Sequence, residues 1–221
     1  QPRNNLRLRL DVASNVRYPN RAEYYWSGLR GPRLPEISMD YQDLRMMLEV
    51  GGERFSTQTE IPIRAIDPVR NANTAGLGDM SVTTTTGRTD GKTWQVTQIF
   101  RTLMNTGSAS HGTGTGHVSM EPGVLCRYKY SDRMYVHSEI KYWFPIGGDP
   151  IFSGQVLRYG VGFSGVWLET DRFALMPTLE MVGWSVLDGQ ETTPDGGIRE
   201  VDGCHIFNVY PGLRCVIDNQ S

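Results

Sequence analysis

Apolar and polar residues alternate with a period of two along most of this chain. In the stretch VLCRYKYSDRMYVHSEIKYWF, from Val124 to Phe144, charged side chains or histidine return at every second position in two successive runs. Successive side chains of a β-strand point to opposite faces of the sheet. The stretch therefore predicts two strands, each with one apolar face and one charged face.

The turn between these two strands follows from the same pattern. A loop of three residues, 131–133, places Tyr128 opposite Val136 on the apolar face and Arg127 opposite His137 on the charged face. A slip of one residue would exchange the two faces of one strand and mix apolar with charged side chains. We therefore predict a hairpin with this loop and this register.

A second hairpin of the same design is predicted further along the chain. Around the loop 169–171 the alternation pairs Val161 with Leu179 on the apolar face. Pro177 lies within the returning run and has no N–H to give to a ladder of hydrogen bonds. We therefore expect a β-bulge at Pro177.

The remaining alternating runs predict an all-β protein. No segment shows a convincing helical period. Together with the two hairpins, these runs predict about ten to twelve antiparallel strands, and we expect them to form a single domain over residues 1–221. The further runs are 6–14, 43–50, 55–65, 80–86, 93–103 and 205–217.

Loop lengths alternate between the predicted strands. The tight loops are 131–133 and 169–171, and the long, glycine-rich ones are 106–119, 145–154 and 188–203. Short turns at one rim and long loops at the other are typical of an up-and-down transmembrane β-barrel of a bacterial outer membrane. In such a barrel an aromatic girdle is expected near the long loops. Its candidate members are Tyr142, Trp143, Phe144 and Trp184.

Composition fits a β-barrel and excludes other classes. The 22 basic and 24 acidic residues nearly balance, so the basic footprint of a nucleic-acid-binding protein is absent. No apolar run reaches the roughly 18 residues of a membrane helix, but a spanning strand needs only about 9–11 residues with every second one apolar. We interpret the three cysteines, Cys126, Cys204 and Cys215, as small apolar residues.

The alternation alone leaves open which face of the strands meets water. In a soluble sandwich or lipocalin-like barrel the charged face points outward, and the protein would be a secreted or periplasmic binding protein. In an outer-membrane barrel the charged face lines the lumen and the apolar face meets lipid. The second arrangement predicts a passive channel or transporter.

Over about residues 76–217 the chain resembles the outer-membrane β-barrel family named for the MetA pathway of phenol degradation, in particular its planctomycete transporter-like members. The resemblance implies a barrel that passes small molecules, with aromatic compounds as one option, and it brings no catalytic residues. Such proteins usually continue to a terminal strand that ends in an aromatic residue, whereas this sequence ends in VIDNQS. We expect that the closing strands lie outside this sequence or that the strand number differs. The similar segments are GLGDMSV (76–82), TGSASHGTGTGHVSMEPGVL (106–125), SDRMYVHSEIKYWFPIGG (131–148), VLRYGVGFS (156–164) and LEMVGWSVL (179–187).

No segment predicts covalent chemistry. GRTDGKT (87–93) has three residues between its glycines, where a phosphate-binding loop needs four, and it lies between two strands, so we interpret it as a hairpin turn. The histidines lack the convergent partners of a metal site. Ser138 and His137 face opposite sides of one strand and cannot act as a pair. We expect no enzymatic activity, no metal and no cofactor.

The charged face is the candidate functional surface. Lining the lumen of a barrel, its side chains would form either a packed ionic interior or an open path whose charges set selectivity. The expected partners are membrane lipid and a small-molecule solute, not nucleic acid, and the oligomeric state stays open. Asp79, in GLGD, is expected to cap a turn. The candidate lumen residues are Arg127, Lys129, His137, Glu139, Lys141, Arg158, Glu180 and Arg214.

Overall fold

The computed structural model describes residues 4–17, 31, 34, 36–52, 54–91, 93–148, 153–170, 172–193 and 195–217. Within these ranges the chain forms β-strands and one short 3-10 helix, Ala109–His111, and none of its helices is long and apolar enough to cross a membrane. The strands are β1 (Asn5–Arg17), β2 (Ser38–Gly51), β3 (Phe55–Pro68), β4 (Thr74–Leu77), β5 (Ser81–Asp90), β6 (Trp94–Leu103), β7 (Val118–Lys129), β8 (Met134–Ile146), β9 (Val156–Gly165), β10 (Leu168–Thr170), β11 (Phe173–Val186), β12 (Gln190–Thr192), β13 (Ile198–Glu200) and β14 (His205–Ile217).

Twelve of these strands form one antiparallel sheet, in which the long strands pair in the order in which they follow one another along the chain. The order is β1-β2-β3-β5-β6-β7-β8-β9-β11, with β14 also paired to β11 and β4 beside β3. The short strand β10 pairs with the first residues of β11, and β12 and β13 form a separate hairpin. The predicted all-β, antiparallel, up-and-down architecture is confirmed. Among the described residues no ladder joins β1 to β14, so closure into a barrel stays a prediction.

The register predicted for the β7–β8 hairpin is confirmed. Tyr128 pairs with Val136 and Arg127 pairs with His137. The turn is closed by a hydrogen bond from the Tyr130 N–H to the Met134 carbonyl, 3.0 Å long. The alternation of apolar and charged residues was therefore sufficient to determine this pairing.

The predicted register of the β9–β11 hairpin is wrong by two residues. Val161 pairs with Met181 and Leu179 with Phe163, so each side chain stays on its predicted face. Between the pairs Ser164–Thr178 and Leu168–Leu175, β9 and β10 use one residue more than β11, which makes a bulge. The bulge lies beside Pro177, as expected, but the extra residue belongs to the opposing strand.

The loops confirm the predicted alternation of lengths. The turns after β2, β5, β7 and β10 are short and lie at one end of the sheet, which we call the short-turn end. β1, β3, β6, β8 and β11 end at the other end of the sheet, the long-loop end, and the connections that follow them are longer. Residues 104–117, between β6 and β7, are called the cap loop below.

The two faces of the sheet differ in both composition and burial. The apolar face carries exposed side chains on every long strand, such as Leu8 at 70 %, Ile140 at 52 % and Ile217 at 78 %. On the opposite, charged face, Glu121 is 1 % exposed and Arg158 is 6 % exposed. The sheet thus exposes its apolar face and buries part of its charged face.

Candidate functional site: the charged face

Ion pairs connect the charged face from β2 to β9. Asp43 contacts Arg45 at 2.9 Å and Arg64 at 3.3 Å, and Arg45 continues to Glu60 at 3.3 Å. Buried charges are tolerated when they are paired and hydrogen-bonded, because desolvation of an unpaired ion costs several kcal/mol. These contacts therefore explain how carboxylates and guanidinium groups persist inside the molecule.

The network extends across strands that are not neighbours. Arg101 on β6 contacts Glu121 on β7 at 3.6 Å and Glu60 on β3 at 4.0 Å. The Arg158 guanidinium on β9 contacts Glu121 at 2.9 Å, with β8 lying between the two strands. At the sheet edge, Arg7 on β1 donates to Gln58 on β3 over 2.8 Å. Contacts that skip a strand are expected where the charged face is concave.

The cap loop is fastened to the charged side by Asp79. Its carboxylate accepts hydrogen bonds from the Gly107 N–H at 2.9 Å, the Thr115 N–H at 2.7 Å and the Thr115 hydroxyl at 2.8 Å. A Cβ at Gly114 would lie 2.5 Å from the Asp79 carboxylate, so a side chain has no room there. The sequence predicted a local turn cap, whereas Asp79 binds a loop 28 to 36 residues further along the chain.

A second contact fixes the cap loop over the sheet. The Arg64 guanidinium on β3 donates to the Thr113 carbonyl over 3.0 Å, and both residues are buried. His117, at the end of the loop, is buried with its ring centroid 5.9 Å from that of Trp143. The long-loop half of the charged face is therefore covered by the cap loop.

The aromatic residues predicted for a girdle at the long loops divide between the two faces. Tyr142 and Phe144 lie on the apolar face, with ring centroids 5.6 Å apart. Trp143 is 1 % exposed, and Trp184 lies 4.7 Å from the Arg158 guanidinium, so both are on the charged face. The girdle assignment of Trp143 and Trp184 was wrong because each lies one residue out of phase with the apolar positions of its strand.

The sequence-predicted lumen residues share the charged face but differ in environment. Arg158 is buried in the ionic network, whereas Glu139 and Lys141 pair with each other at 3.0 Å. Lys129 pairs with Asp132 in the turn at 2.7 Å. Glu180 and Arg214 are exposed on β11 and β14. The eight residues therefore occupy one surface but form no single cluster.

Arg127 and His137 lie on the open, short-turn half of the charged face. The Arg127 guanidinium packs 4.1 Å from the centre of the Tyr135 ring. The His137 Nε2 atom is 3.0 Å from the Ser164 hydroxyl, a partner on the neighbouring strand that the sequence analysis did not consider. Ser138, next to His137 in sequence, points to the other face, as predicted from the strand period.

A cavity of about 380 Å³ opens on this half of the charged face. Its lining includes Gln95, Arg127, His137, Glu139 and Glu180, together with two glycines of β9. Four of the eight predicted lumen residues thus line one cavity. The cap loop does not contribute to its lining.

Two buried carboxylates of the network were not predicted from the sequence. Asp43 and Glu121 are each 1 % exposed and bind the arginines of the network. The signal was available, because Asp43 lies two residues before Arg45 and Glu121 six before Arg127, on the same faces. Pro122 and Gly123 interrupt the alternation after Glu121, so the pattern does not show that Glu121 belongs to the charged face.

The described part of the chain has no group of three or more His, Cys, Asp or Glu residues arranged to hold a metal ion. Its cysteines, Cys126, Cys204 and Cys215, are free thiols. No protein-family model matches this chain, and a search of curated proteins finds no match. The resemblance noted from the sequence therefore stays a prediction.

Proposed function

We propose that this protein is an outer-membrane β-barrel that passes small solutes passively along its charged face. The observation that carries the proposal is the inverted burial of the sheet, with aliphatic side chains outside and ion pairs inside. Covalent catalysis would need catalytic side chains that converge on a substrate, and the proposal involves none. Selectivity would come from the charges along the path.

The exposed apolar face is the first support. Each Leu, Ile or Val side chain left in water forgoes about 1.5–3 kcal/mol of burial free energy. Leu6, Leu8 and Leu10 on β1 are 63 %, 70 % and 64 % exposed, and Phe207 and Leu213 on β14 are 63 % and 62 % exposed. Monomeric soluble proteins rarely expose apolar patches beyond a few hundred Å². Lipid chains around the sheet would remove this cost, which favours the membrane over the soluble alternative.

The position of charges on the apolar face is the second support. Among the side chains that the structure describes, the charged groups on this face are Arg17, Asp40 and Asp67. All three lie within three residues of a strand terminus at the long-loop end. A barrel in a membrane keeps ionised groups out of the hydrocarbon band and tolerates them at its rims.

Aromatic side chains at both ends of the apolar face are the third support. At the short-turn end Trp94 stacks on Tyr128 with centroids 4.4 Å apart, and Trp167 is 74 % exposed. At the long-loop end are Tyr142 and Phe144. From Met134 to Phe144 the strand advances ten residues, about 33 Å, which at a tilt of about 40° gives roughly 25 Å, the height of an outer-membrane apolar band.

The direction of the edge strands is compatible with a barrel. β1 begins at the short-turn end and β14 ends there, so the two would meet antiparallel. In hydrocarbon each unpaired backbone group of an open edge costs several kcal/mol. The proposal therefore requires that the free edges of β1 and β14 are paired, either with each other or with strands outside this sequence.

A single substitution on the apolar face tests the membrane assignment. Ile140 is the seventh of the 13 residues of β8 and is 52 % exposed. In lipid vesicles, Ile140→Arg should lower the free energy of unfolding by about 2–4 kcal/mol, because the charge enters the middle of the hydrocarbon. The measurement is equilibrium denaturation followed by tryptophan fluorescence.

The matched control is Ile198→Arg in the β12–β13 hairpin, where the isoleucine is 61 % exposed. This change should alter the free energy of unfolding by less than about 0.5 kcal/mol. The proposal fails if both variants are equally stable and the wild type stays folded and monodisperse in buffer without detergent. That result would support the soluble alternative.

A further inference from the structure

The cavity on the charged face is created by two glycines of β9. Gly160 and Gly162 are successive charged-face positions of this strand, with His137 opposite Gly162 on β8 and Glu180 opposite it on β11. A Cβ at Gly162 would lie 3.3 Å from the Glu180 Cγ atom and 3.9 Å from the His137 Cβ atom. Larger side chains at these two positions would fill the space. The cavity of about 380 Å³ therefore depends on their absence.

The charges around this cavity are compensated unequally. Glu139 is neutralised by Lys141 at 3.0 Å, and His137 is hydrogen-bonded to Ser164. Within the described chain, Arg127 forms no ion pair with an acidic side chain, since its guanidinium packs on an aromatic ring instead. Glu180 likewise forms no ion pair with a basic side chain there.

Arg127 and Glu180 stand on opposite walls of the cavity. Arg127 is on β7 and Glu180 on β11, three strand spacings apart, which is about 14 Å between backbones. His137 on β8 and Gly162 on β9 lie between them in the same row of the sheet. Glu180 would repel a monoanion bound beside Arg127, and Arg127 would repel a monocation bound beside Glu180. A solute with both charges would satisfy both walls.

We propose that this glycine-floored cavity is a binding subsite for small zwitterionic solutes, which place their anionic group toward Arg127 and their cationic group toward Glu180. The inference rests on the proposed channel function and specifies its solute class. Glycine at positions 160 and 162 provides the room, and the two uncompensated charges provide the orientation.

Flux into liposomes that contain the purified protein tests this subsite. Four solutes of similar size separate charge from shape: 4-aminobutanoate as the zwitterion, butanoate as the anion, butylammonium as the cation and butanamide as the neutral compound. At low concentration and pH 7.5, 4-aminobutanoate should enter about three times faster than butanamide, the ratio expected for weak, partly hydrated ion pairs.

Substitutions at the two walls should change the preference in opposite directions. Arg127→Gln should abolish the preference for 4-aminobutanoate and raise butylammonium flux relative to butanoate flux. Glu180→Gln should abolish the same preference and raise butanoate flux relative to butylammonium flux. Gly162→Leu should lower the flux of all four solutes. The matched controls Arg133→Gln and Glu200→Gln alter exposed charges outside the cavity lining and should keep the wild-type ratios.

The outcomes separate the subsite from the channel. If all four solutes enter wild-type liposomes at rates that depend on size alone, or if the two wall variants change the ratios in the same direction, the subsite is refuted and the channel stands. If no solute enters faster than in protein-free liposomes, the channel function itself fails and the subsite fails with it.

Discussion

Individual carboxylates of this protein are held by arginines where water is excluded. Asp43 contacts Arg45 and Arg64, and Glu121 contacts Arg158, while both carboxylates are 1 % exposed. Removing one partner of a buried pair costs about 3–5 kcal/mol, although the intact pair adds little net stability, because attraction mainly offsets desolvation. We infer that the pairs specify how neighbouring strands are placed rather than increase the stability of the sheet.

One ion pair at the β7–β8 turn predicts a pH dependence. The Lys129 ammonium donates a hydrogen bond to Asp132 in the β7–β8 turn and lowers the pKa of that carboxyl below its ordinary value. Because the pKa in the folded state is depressed, the pair stabilises the turn above the unfolded-state pKa, and this contribution is lost as pH falls through the lowered pKa. Since Asp132 is exposed, we expect a visible titration and only a small effect on stability.

NMR titration of the Asp132 side chain measures this effect directly. In the wild type the midpoint should lie below the ordinary aspartate pKa, and in Lys129→Gln it should return to that ordinary value. Coincident midpoints in the two proteins would show that the Lys129 contact does not persist in solution.

At the scale of elements, tight contacts between strands use glycine, in one case beneath an aromatic ring. The Tyr159 ring on β9 covers Gly183 on β11, where an added Cβ would lie 2.3 Å from a ring carbon. Between β7 and β8, a Cβ at Gly123 would lie 2.6 Å from the Ile140 carbonyl oxygen. An aromatic ring that covers a glycine on the adjacent strand restores the packing that glycine cannot supply. These positions help to maintain the register of the sheet.

The cap loop is the element whose attachment can be tested most simply. Asp79→Ala leaves the N–H groups of Gly107 and Thr115 without their acceptor, at about 1–3 kcal/mol for each buried group left unsatisfied. We expect a loss of about 2–4 kcal/mol in the free energy of unfolding. Because the loop covers the long-loop half of the charged face, single-channel conductance in a planar bilayer should also rise.

The matched control for the cap loop is Asp202→Ala, which removes an exposed aspartate from the connection between β11 and β14. Its stability and conductance should equal those of the wild type. Equal conductance in Asp79→Ala and the wild type would mean that the cap loop does not restrict the proposed path.

At the scale of the whole molecule, the charged face should determine which ions the proposed channel prefers. Glu139 lines the cavity and compensates Lys141. Glu139→Lys replaces a negative group with a positive one and leaves Lys141 unpaired, so we expect a shift toward anion selectivity. Reversal potentials under a salt gradient in a planar bilayer measure this change.

The control for the selectivity measurement is Glu200→Lys in the β12–β13 hairpin, which makes the same change in net charge outside the cavity lining. Its reversal potential should match that of the wild type. If Glu139→Lys also leaves the reversal potential unchanged, ions do not pass this part of the charged face.

Much of the sheet was predictable because it depends on local pattern. The period of two assigned Arg127 and His137 to one face and placed them in the correct register. The register between β9 and β11 was not predictable, because a shift by two residues keeps every side chain on its face. Pro177 indicates a bulge, but the sequence does not show that the extra residue belongs to the opposing strand. Alternation therefore determines the face of the sheet on which a residue lies, but not always the residue with which it pairs on the neighbouring strand.

The sequence by itself determined the class of fold, the identity of the two faces and the alternation of short and long loops, since these follow from properties of neighbouring residues. Only the tertiary structure decided that paired carboxylates and arginines of the charged face are buried, that Asp79 fastens the cap loop, and that Gly160 and Gly162 open a cavity between Arg127 and Glu180. Those features join residues far apart in the chain. Their energies arise from desolvation and contact across strands, which no local pattern contains.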